Sequence, residues 1–152
     1  MNYSEREKQL NEFALRKVWH KICPYKAYRN TNIEELNTNV YSAINSWEYG
    51  PQGLYIMGKT AMWKTRSVYM LLNKLLYSTF SDLKKSIKGG YIQPIYSLNP
   101  RVFSHGCMSR FGDESIYTWV KSLCEVPLLF FDDLGKEKAT ARVVTELFNI
   151  VE

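Results

Sequence analysis

Two adjacent carboxylates at the end of an apolar run are the first residues in this sequence that could do chemistry. Asp132 and Asp133 directly follow Leu128–Phe131, and a short apolar run without alternation is typical of a strand buried on both faces of a parallel sheet. Open α/β sheets bind their ligands beyond the carboxyl ends of such strands. The pair therefore indicates a ligand site. The alternative interpretation is two acids that begin a turn, because Asp-Leu-Gly is also ordinary turn chemistry.

A second stretch supplies the groups that a bound phosphate requires. Leu54–Met57 is a second apolar run that predicts a buried strand, Gly58 ends it, and Lys64 and Thr65 open a helical segment. Phosphate-binding loops have this same order of elements: a strand, a loop, Lys-Thr and a helix. In those loops, backbone N–H groups and a helix N-terminus hold the phosphates, the lysine neutralises them and the hydroxyl binds Mg²⁺.

One position departs from the phosphate-loop pattern. The spacing fits G-x-x-x-x-G-K-[ST], but Trp63 occupies the place of the second glycine. Glycine permits a positive φ and lets the backbone approach a phosphate without an intervening Cβ. The Trp63 side chain could point outward and leave the N–H groups usable, or it could fill the pocket or stack on a neighbour. The sequence leaves these alternatives open.

The overall composition indicates one globular domain of 152 residues, with 45% apolar and 14% aromatic residues. No apolar run approaches the roughly 20 residues of a membrane span, and the charged N-terminus lacks a signal-peptide stretch. Cys23, Cys107 and Cys124 form neither a metal pattern nor a disulfide framework. We therefore expect a cytoplasmic protein with no membrane association. A net charge of +5 permits contact with nucleic acid without requiring it.

Hydrophobic periodicity predicts helices alternating with strands. Ahead of the phosphate loop we expect helices over Ser4–Ile22 and Ile33–Trp47, the first forming an N-terminal arm, residues 1–23, before the main domain, residues 24–152. This arm either packs on its own domain or docks on a partner protein. Its predicted apolar side comprises Leu10, Phe13, Ala14, Lys17, Val18 and Ile22.

After the phosphate loop, we expect a helix that buries one face, a strand over Tyr91–Tyr96 and three further helices around the acidic strand. This alternation implies a mostly parallel sheet with right-handed crossovers. The predicted buried positions of the first helix are Val68, Leu71, Leu72, Leu75 and Leu76, and the next helix covers Arg101–Phe111. The apolar positions of the third helix are Ile116, Trp119, Val120 and Leu123. The last helix is capped by Thr140, and its apolar face comprises Val143, Val144, Leu147, Phe148 and Val151.

From about Pro24 onward, the chain resembles the AAA+ helicase loaders of the DnaC-like family and the related IstB-like transposition helper ATPases. Their acidic motif and following helix are similar to LLFFDDLGKEKATARVVTELFNIVE, and the helix before it to RFGDESIYTWVKSLCEVPLLFFDDLGK. The segment that precedes their P-loop is similar to CPYKAYRNTNIEELNTNVYSAINSWEYGPQGLYIMG. The resemblance implies an α/β P-loop NTPase fold of the AAA+ ASCE type, a three-layer sandwich around a mostly parallel sheet.

The resemblance also implies roles for individual residues, with ATP bound between the P-loop and the acidic strand. Lys64 would contact the β- and γ-phosphates, Thr65 would ligate Mg²⁺, and Asp132 would hold the metal, mostly through water. Asp133 occupies the position of the carboxylate that polarises the attacking water, so Lys64 and Asp133 are the catalytic candidates. The residues expected to surround the nucleotide are Gly58, Lys59, Thr60, Ala61, Met62, Trp63, Lys64, Thr65 and Arg66, with Ala61 and Trp63 in place of the two inner glycines of the family.

The function implied is ATP-driven loading of a replicative helicase on single-stranded DNA during DNA replication, in an assembly with further copies of the chain. The candidates for contact with DNA phosphates are Lys84, Lys85, Lys88 and Arg101. One alternative is the transposition helper activity. Another is a degenerate ATPase fold that no longer hydrolyses ATP and serves as a binding module for protein or DNA.

In the family, two more strands, the sensor residues and the arginine finger follow the helix at which this sequence stops, Glu152. The sheet would then lack its C-terminal strands, and each unpaired buried backbone group costs about 1–3 kcal/mol. We therefore expect a fragment of a longer ATPase. The alternatives are that the two strands close up directly or that a partner chain supplies the missing strand. An arginine finger would have to come from outside this sequence.

Overall fold

The structure is a computed structural model that describes residues 3–59, 62–81, 94–109, 115–133 and 141–151. The chain divides into two compact units, Met1–Tyr91 and Ile92–Glu152. Each unit has its own buried core of apolar side chains. No helix in the described ranges combines the length and the apolar composition needed to cross a bilayer.

All the regular secondary structure in the described part of the first unit is helical. A long helix and a four-residue helix come first, a 3₁₀ turn and a short helix follow, and a 15-residue helix begins directly after the phosphate-loop segment. Their bounds are α1 Tyr3–Ile22, α2 Lys26–Arg29, the 3₁₀ turn Ile33–Glu35, α3 Thr38–Asn45 and α4 Lys64–Ser78. Helix α1 ends at Ile22, because the next residue, Cys23, precedes Pro24, and a residue that precedes proline is displaced from helical geometry.

Helix α4 forms the centre of this unit, and its predicted apolar face is confirmed. Val68, Leu71, Leu72, Leu75 and Leu76 are all buried. Full burial of a Leu or Val side chain stabilises a fold by about 1.5–3 kcal/mol, so this face contributes substantially to the unit's stability.

Helix α1 packs on α4 through a face that matches the predicted one only in part, since Val18 and Ile22 are buried as predicted. The buried positions are Leu15, Val18, Trp19 and Ile22, spaced i, i+3, i+4 and i+7. The predictions for Leu10 and Phe13 were wrong, since these side chains are 62% and 58% exposed. The Lys17 ammonium lies 4.5 Å from the centre of the Phe13 ring and partly covers it. α1 therefore packs on its own unit, the first of the two interpretations of this segment.

The prediction of one helix over Ile33–Trp47 was wrong, because Asn32 caps a 3₁₀ turn at the start of the segment and Asn37 begins a separate helix within it. The Asn32 side chain accepts a hydrogen bond from the Glu34 N–H, and the Asn37 side chain accepts one from the Val40 N–H, both at 3.1 Å. Asparagine competes with helical hydrogen bonding and favours N-cap positions. A 3₁₀ turn and the separate helix α3 result.

The predicted strand over Leu54–Met57 was also wrong. These residues have no regular secondary structure, and Leu54, Tyr55 and Met57 are exposed. A strand exists only when its backbone pairs with a neighbour, and in the described part of the first unit no strand is present to pair with. The segment instead runs as extended chain into the phosphate loop.

The second unit contains a two-stranded parallel sheet with helices between and after the strands. Strand β1 pairs in parallel with β2, with Ile95 opposite Leu128 and Leu98 opposite Phe131. The bounds are β1 Ile95–Leu98, α5 Pro100–Ser109, α6 Ser115–Cys124, β2 Leu128–Phe131 and α7 Ala141–Val151. The predicted acidic strand and the parallel arrangement of this pair are confirmed. The predicted burial on both faces was wrong, since the four β2 side chains are only half-buried.

The helices of the second unit enclose one apolar cluster. Its buried members are Leu98, Phe103, Cys107, Ile116, Val120, Leu123 and Val143. Helix α5 lies where a helix was predicted over Arg101–Phe111, and Ile116, Val120 and Leu123 of α6 are buried as predicted. The Asn99 side chain caps α5 by accepting a 3.0 Å hydrogen bond from the Val102 N–H. In α7, Val143 is buried as predicted, but Val144 is 40% exposed. The side chains of Phe148 and Val151 and the whole of Thr140 lie outside the described residues.

The described residues thus form a helix-rich chain with one parallel pair of strands. The P-loop NTPase sandwich remains a prediction.

Candidate functional site

The phosphate-loop segment closes on the ammonium group of Lys64. Lys64 Nζ donates hydrogen bonds to the carbonyl oxygens of Gly58 at 2.9 Å and Lys59 at 2.5 Å. The loop therefore curves around a cation at the first residue of α4, with two carbonyl oxygens as its partners. Thr60 and Ala61, two of the predicted contacts, lie outside the described residues.

Two backbone conformations shape this loop. Gly58 has a φ of 143°, and Trp63 has a φ of 57° with a ψ of 20°, in the left-handed region. Glycine adopts that region without cost, whereas an L-residue pays about 1–2 kcal/mol. Position 63, where the phosphate-loop pattern has its second glycine, therefore adopts a conformation that glycine favours even though the residue is tryptophan.

Trp63 is also the N-cap residue of α4, but its side chain makes no capping hydrogen bond. Its carbonyl oxygen accepts from the Ser67 N–H at 2.9 Å and from the Ser67 hydroxyl at 3.0 Å, which fixes the first turn. The positive end of the helix dipole favours negative charge at this terminus. Lys64 and the half-buried Thr65 both belong to this turn.

The indole of Trp63 stacks on a neighbour instead of filling the pocket. The guanidinium carbon of Arg66 lies 4.7 Å from the centre of the Trp63 rings and 5.6 Å from the centre of the Tyr28 ring. Arg66 also forms an ion pair with Glu35, with 3.9 Å between Nη1 and Oε2. Of the alternatives that the sequence left open, the structure thus selects stacking on a neighbour.

A cleft of about 400 Å³ lies beside Lys64 in the same unit. Helix α3 forms one wall, and the extended segment before the loop forms another. The lining residues are Val40, Ala43, Ile44, Leu54, Tyr55, Ile56, Met57, Gly58, Lys59, Met62 and Lys64. The volume is within the range of about 300–1,000 Å³ of small-molecule sites, which are mostly apolar with a few polar groups at defined places. Sequence reasoning missed the wall from α3, because its apolar positions are indistinguishable from ordinary core positions.

The acidic pair lies at the carboxyl end of the parallel strands in the second unit. The Asp132 N–H donates to the Leu98 carbonyl oxygen at 2.9 Å and extends the ladder by one residue. Asp132 is half-buried, and Asp133 is exposed with a left-handed φ of 55°. Aspartate tolerates that conformation better than most residues do. The chain thus turns immediately after the strand, with both carboxylates at the edge where parallel sheets bind ligands.

The predicted DNA contacts are only partly described. Lys84, Lys85 and Lys88 lie outside the described residues, whereas Arg101 is exposed in the first turn of α5.

Two of the predicted magnesium ligands carry oxygen atoms, the kind of ligand that Mg²⁺ takes in proteins together with phosphates and water. Thr65, in the first unit, carries a hydroxyl, and Asp132, in the second unit, carries a carboxylate. Among the described residues, no three His, Cys, Asp or Glu side chains are grouped to hold a metal ion.

Comparisons of the chain with protein-family models, curated proteins and solved structures found no match. The geometry of Gly58, Trp63 and Lys64 is therefore the basis for a candidate phosphate site at this loop.

Proposed function

We propose that this chain binds Mg-ATP at the segment Gly58–Thr65 and belongs to an ATPase that resembles the DnaC-like helicase loaders. The observation that carries the proposal is the conformation of position 63. Trp63 adopts a left-handed backbone at the place of the motif's second glycine, and Lys64 Nζ bends back over the loop carbonyls. A tryptophan in the left-handed region costs about 1–2 kcal/mol, and a strained backbone of this kind next to Lys64 supports a functional role for the loop.

A nucleotide as ligand accounts for both the Lys64 ammonium and the apolar cleft of this unit, whereas a free phosphate accounts only for the ammonium. Phosphate oxygens would replace the carbonyls of Gly58 and Lys59 as partners of the Lys64 ammonium, because a charged acceptor binds it more strongly. The mainly apolar cleft next to Lys64 would receive the nucleoside. Val40 and Ile44 on α3 are placed to contact its base, since both line the cleft.

The chemistry proposed for the chain is positioning and electrostatic stabilisation of a phosphoryl group. By the resemblance, Lys64 would neutralise developing charge, Thr65 and Asp132 would be the ligands of Mg²⁺, and Asp133 would orient a water molecule and accept its proton. A bound metal ion would supply charge neutralisation on the phosphates.

The biological role proposed from the resemblance is loading of a replicative helicase on single-stranded DNA in the cytoplasm. The net charge of +5 is compatible with a nucleic-acid partner. Arg101 together with the predicted residues Lys84, Lys85 and Lys88 would contact DNA phosphates. The related role of a transposition helper uses the same site and differs in its protein partner.

Trp63 favours a second candidate function. A tryptophan in the phosphate loop and a Lys64 ammonium already paired with two carbonyls are what a degenerate ATPase fold would show. Such a protein would bind a helicase or DNA without hydrolysing ATP.

Calorimetric titration with Mg-ATP tests the proposal. We expect micromolar affinity for the wild type and a loss of about tenfold or more in Lys64→Ala, because a hydrogen-bonded charge contributes about 1.5–3 kcal/mol. Lys74→Ala is the matched control: Lys74 lies on the same helix, is exposed, and donates to the Asn45 carbonyl oxygen at 3.4 Å. Absence of binding by a folded wild-type protein, or an equal loss in both variants, would overturn the ATP site.

A further inference from the structure

The indole of Trp63 makes a cation–π contact with Arg66 and lies outside the cleft. Met62 and Lys64, the residues on either side of Trp63, line the cleft, but Trp63 does not. Its side chain is 43% exposed and lies against the guanidinium of Arg66. The bulkiest side chain of the loop is therefore kept out of the cavity that its two neighbours border.

The guanidinium of Arg66 is fixed by groups from two other elements. Tyr28 of α2 contributes a ring face at 5.6 Å, and Glu35 of the 3₁₀ turn contributes a carboxylate at 3.9 Å. The Arg66 side chain is only 23% exposed. A guanidinium held by three groups has little freedom to move, so it can in turn hold an aromatic ring.

Tyr28 is anchored on the core of the unit. Its ring lies 5.5 Å from the ring of Tyr69, a buried residue of α4. The Tyr28 carbonyl oxygen also accepts a 2.9 Å hydrogen bond from the Thr31 hydroxyl. The chain of contacts thus runs from the buried face of α4 through Tyr28 and Arg66 to the indole.

The apolar cleft is an alternative place for the same indole. Burial of an exposed indole is favourable at about 25 cal/mol for each Å² of apolar surface, and a cleft of about 400 Å³ has room for one. The cation–π contact, which contributes about 0.5–2 kcal/mol, opposes that movement.

From these contacts we infer that Arg66 is a positioning residue, which holds Trp63 outside the nucleotide cleft and keeps the site open. Without the guanidinium, the indole enters the cleft and competes with the nucleoside. The inference rests on the proposed nucleotide site and adds an internal competitor to it. Arg66 then acts on the ligand through Trp63, not by touching phosphate.

A double-mutant cycle with Mg-ATP titration tests this role. Arg66→Met keeps the length of the side chain and removes the cation, and we expect about a tenfold loss of affinity. In the Trp63→Gly background the same change should alter the affinity less than about twofold. Arg66→Lys, which retains a cation, should restore part of the affinity. Arg16→Met is the control for charge, because the Arg16 ion pair with Glu12 is exposed, and its affinity should equal that of the wild type.

A second measurement separates failure of this inference from failure of the ATP site. The protein is labelled with 5-fluorotryptophan, and Trp63→Phe identifies the fluorine resonance of position 63. In Arg66→Met without nucleotide, that resonance should shift, and its sensitivity to replacement of H₂O by D₂O should fall as the indole leaves solvent. An unchanged resonance in folded Arg66→Met, or an equal loss of ATP affinity in both backgrounds, would overturn the inference. If the wild type fails to bind ATP while the resonance still shifts, the nucleotide proposal is wrong, and the contact that holds the indole out of the cleft is supported.

Discussion

Lys64 Nζ donates a 2.9 Å hydrogen bond to the carbonyl oxygen of Gly58, six residues earlier in the chain. This bond closes the phosphate-loop segment on itself and places a cation at the N-terminus of α4. Loop carbonyls are weaker partners for an ammonium than phosphate oxygens are. We therefore expect a ligand with several anionic oxygens to displace the hydrogen bond between Lys64 and the Gly58 carbonyl oxygen.

The backbone at position 63 can be tested by a pair of substitutions that both remove the indole. Trp63→Gly and Trp63→Ala lose the same stacking on Arg66, but only glycine accepts the observed φ of 57° without strain. We expect Trp63→Gly to be more stable than Trp63→Ala by about 1 kcal/mol. Urea unfolding of both variants measures the difference. A more stable alanine variant would show that position 63 is not left-handed in solution.

Substitution of Asp133 by asparagine should leave the free energy of unfolding nearly unchanged while it lowers the rate of ATP hydrolysis. Asparagine tolerates the left-handed φ of 55° at this turn, so Asp133→Asn should change the free energy of unfolding by less than about 0.5 kcal/mol. A β-branched control, Asp133→Val, should cost about 1–2 kcal/mol.

If Asp133 acts as the general base, Asp133→Asn should lower the rate of ATP hydrolysis at least about 100-fold without weakening binding of Mg-ATP. A phosphate-release assay and titration of the same preparation provide the two values. Hydrolysis that persists in Asp133→Asn would remove the catalytic role from this residue.

Gly106 in α5 lies against the indole of Trp119, which leaves no room for a Cβ. The Trp119 ring is itself packed at 5.9 Å from the Phe103 ring and cannot easily move. Alanine inside a helix normally stabilises by about 0.5–1 kcal/mol relative to glycine. Here we expect the opposite sign, a loss of about 1–3 kcal/mol from overpacking.

Thermal or urea unfolding of Gly106→Ala checks this sign. Gly53→Ala is the control, because no atom lies within 4 Å of a Cβ at that position. The double variant Gly106→Ala with Trp119→Leu should recover part of the loss. Stabilisation by Gly106→Ala alone would show that α5 and α6 pack differently in solution.

Because the Cys23 thiol is buried, the free energy of unfolding should fall as the pH becomes alkaline. Burial raises its pKa from 9.0 to about 11, and the nearby Arg29 guanidinium only partly offsets this effect. Between these two values the unfolded chain loses the thiol proton while the folded chain keeps it. The free energy of unfolding should therefore fall as the pH rises from 9 towards 11, and this contribution is fully present below pH 9.

Urea unfolding of wild type and Cys23→Ala at several pH values isolates this contribution, since other titrating groups cancel in the difference. The stability advantage of the wild type should shrink as the pH rises. Val18→Ala is the control, because it removes a fully buried apolar group without a thiol and should lower stability equally at each pH. A constant difference for Cys23→Ala would contradict a raised pKa.

Local sequence determined several helices and the acidic strand of this protein. The apolar spacing of α4 predicted the buried face from Val68 to Leu76, and α5 lies where a helix was predicted over Arg101–Phe111. Helical hydrogen bonds form within one segment, so a periodic pattern with a capping residue contains most of the information that the helix requires. The run Leu128–Phe131 was equally clear, because it lacks alternation and ends at two acids.

Tertiary structure decided the features that depend on partners distant in the chain. Leu54–Met57 has the composition of a strand but lies as extended chain, because a strand also needs a neighbouring backbone to pair with. The face that α1 buries depends on where α4 lies, which a pattern containing both Leu10 and Leu15 does not specify. The sequence did not specify where the Trp63 indole lies, because Arg66, Tyr28 and Glu35 come together only when α2, the 3₁₀ turn and α4 have packed.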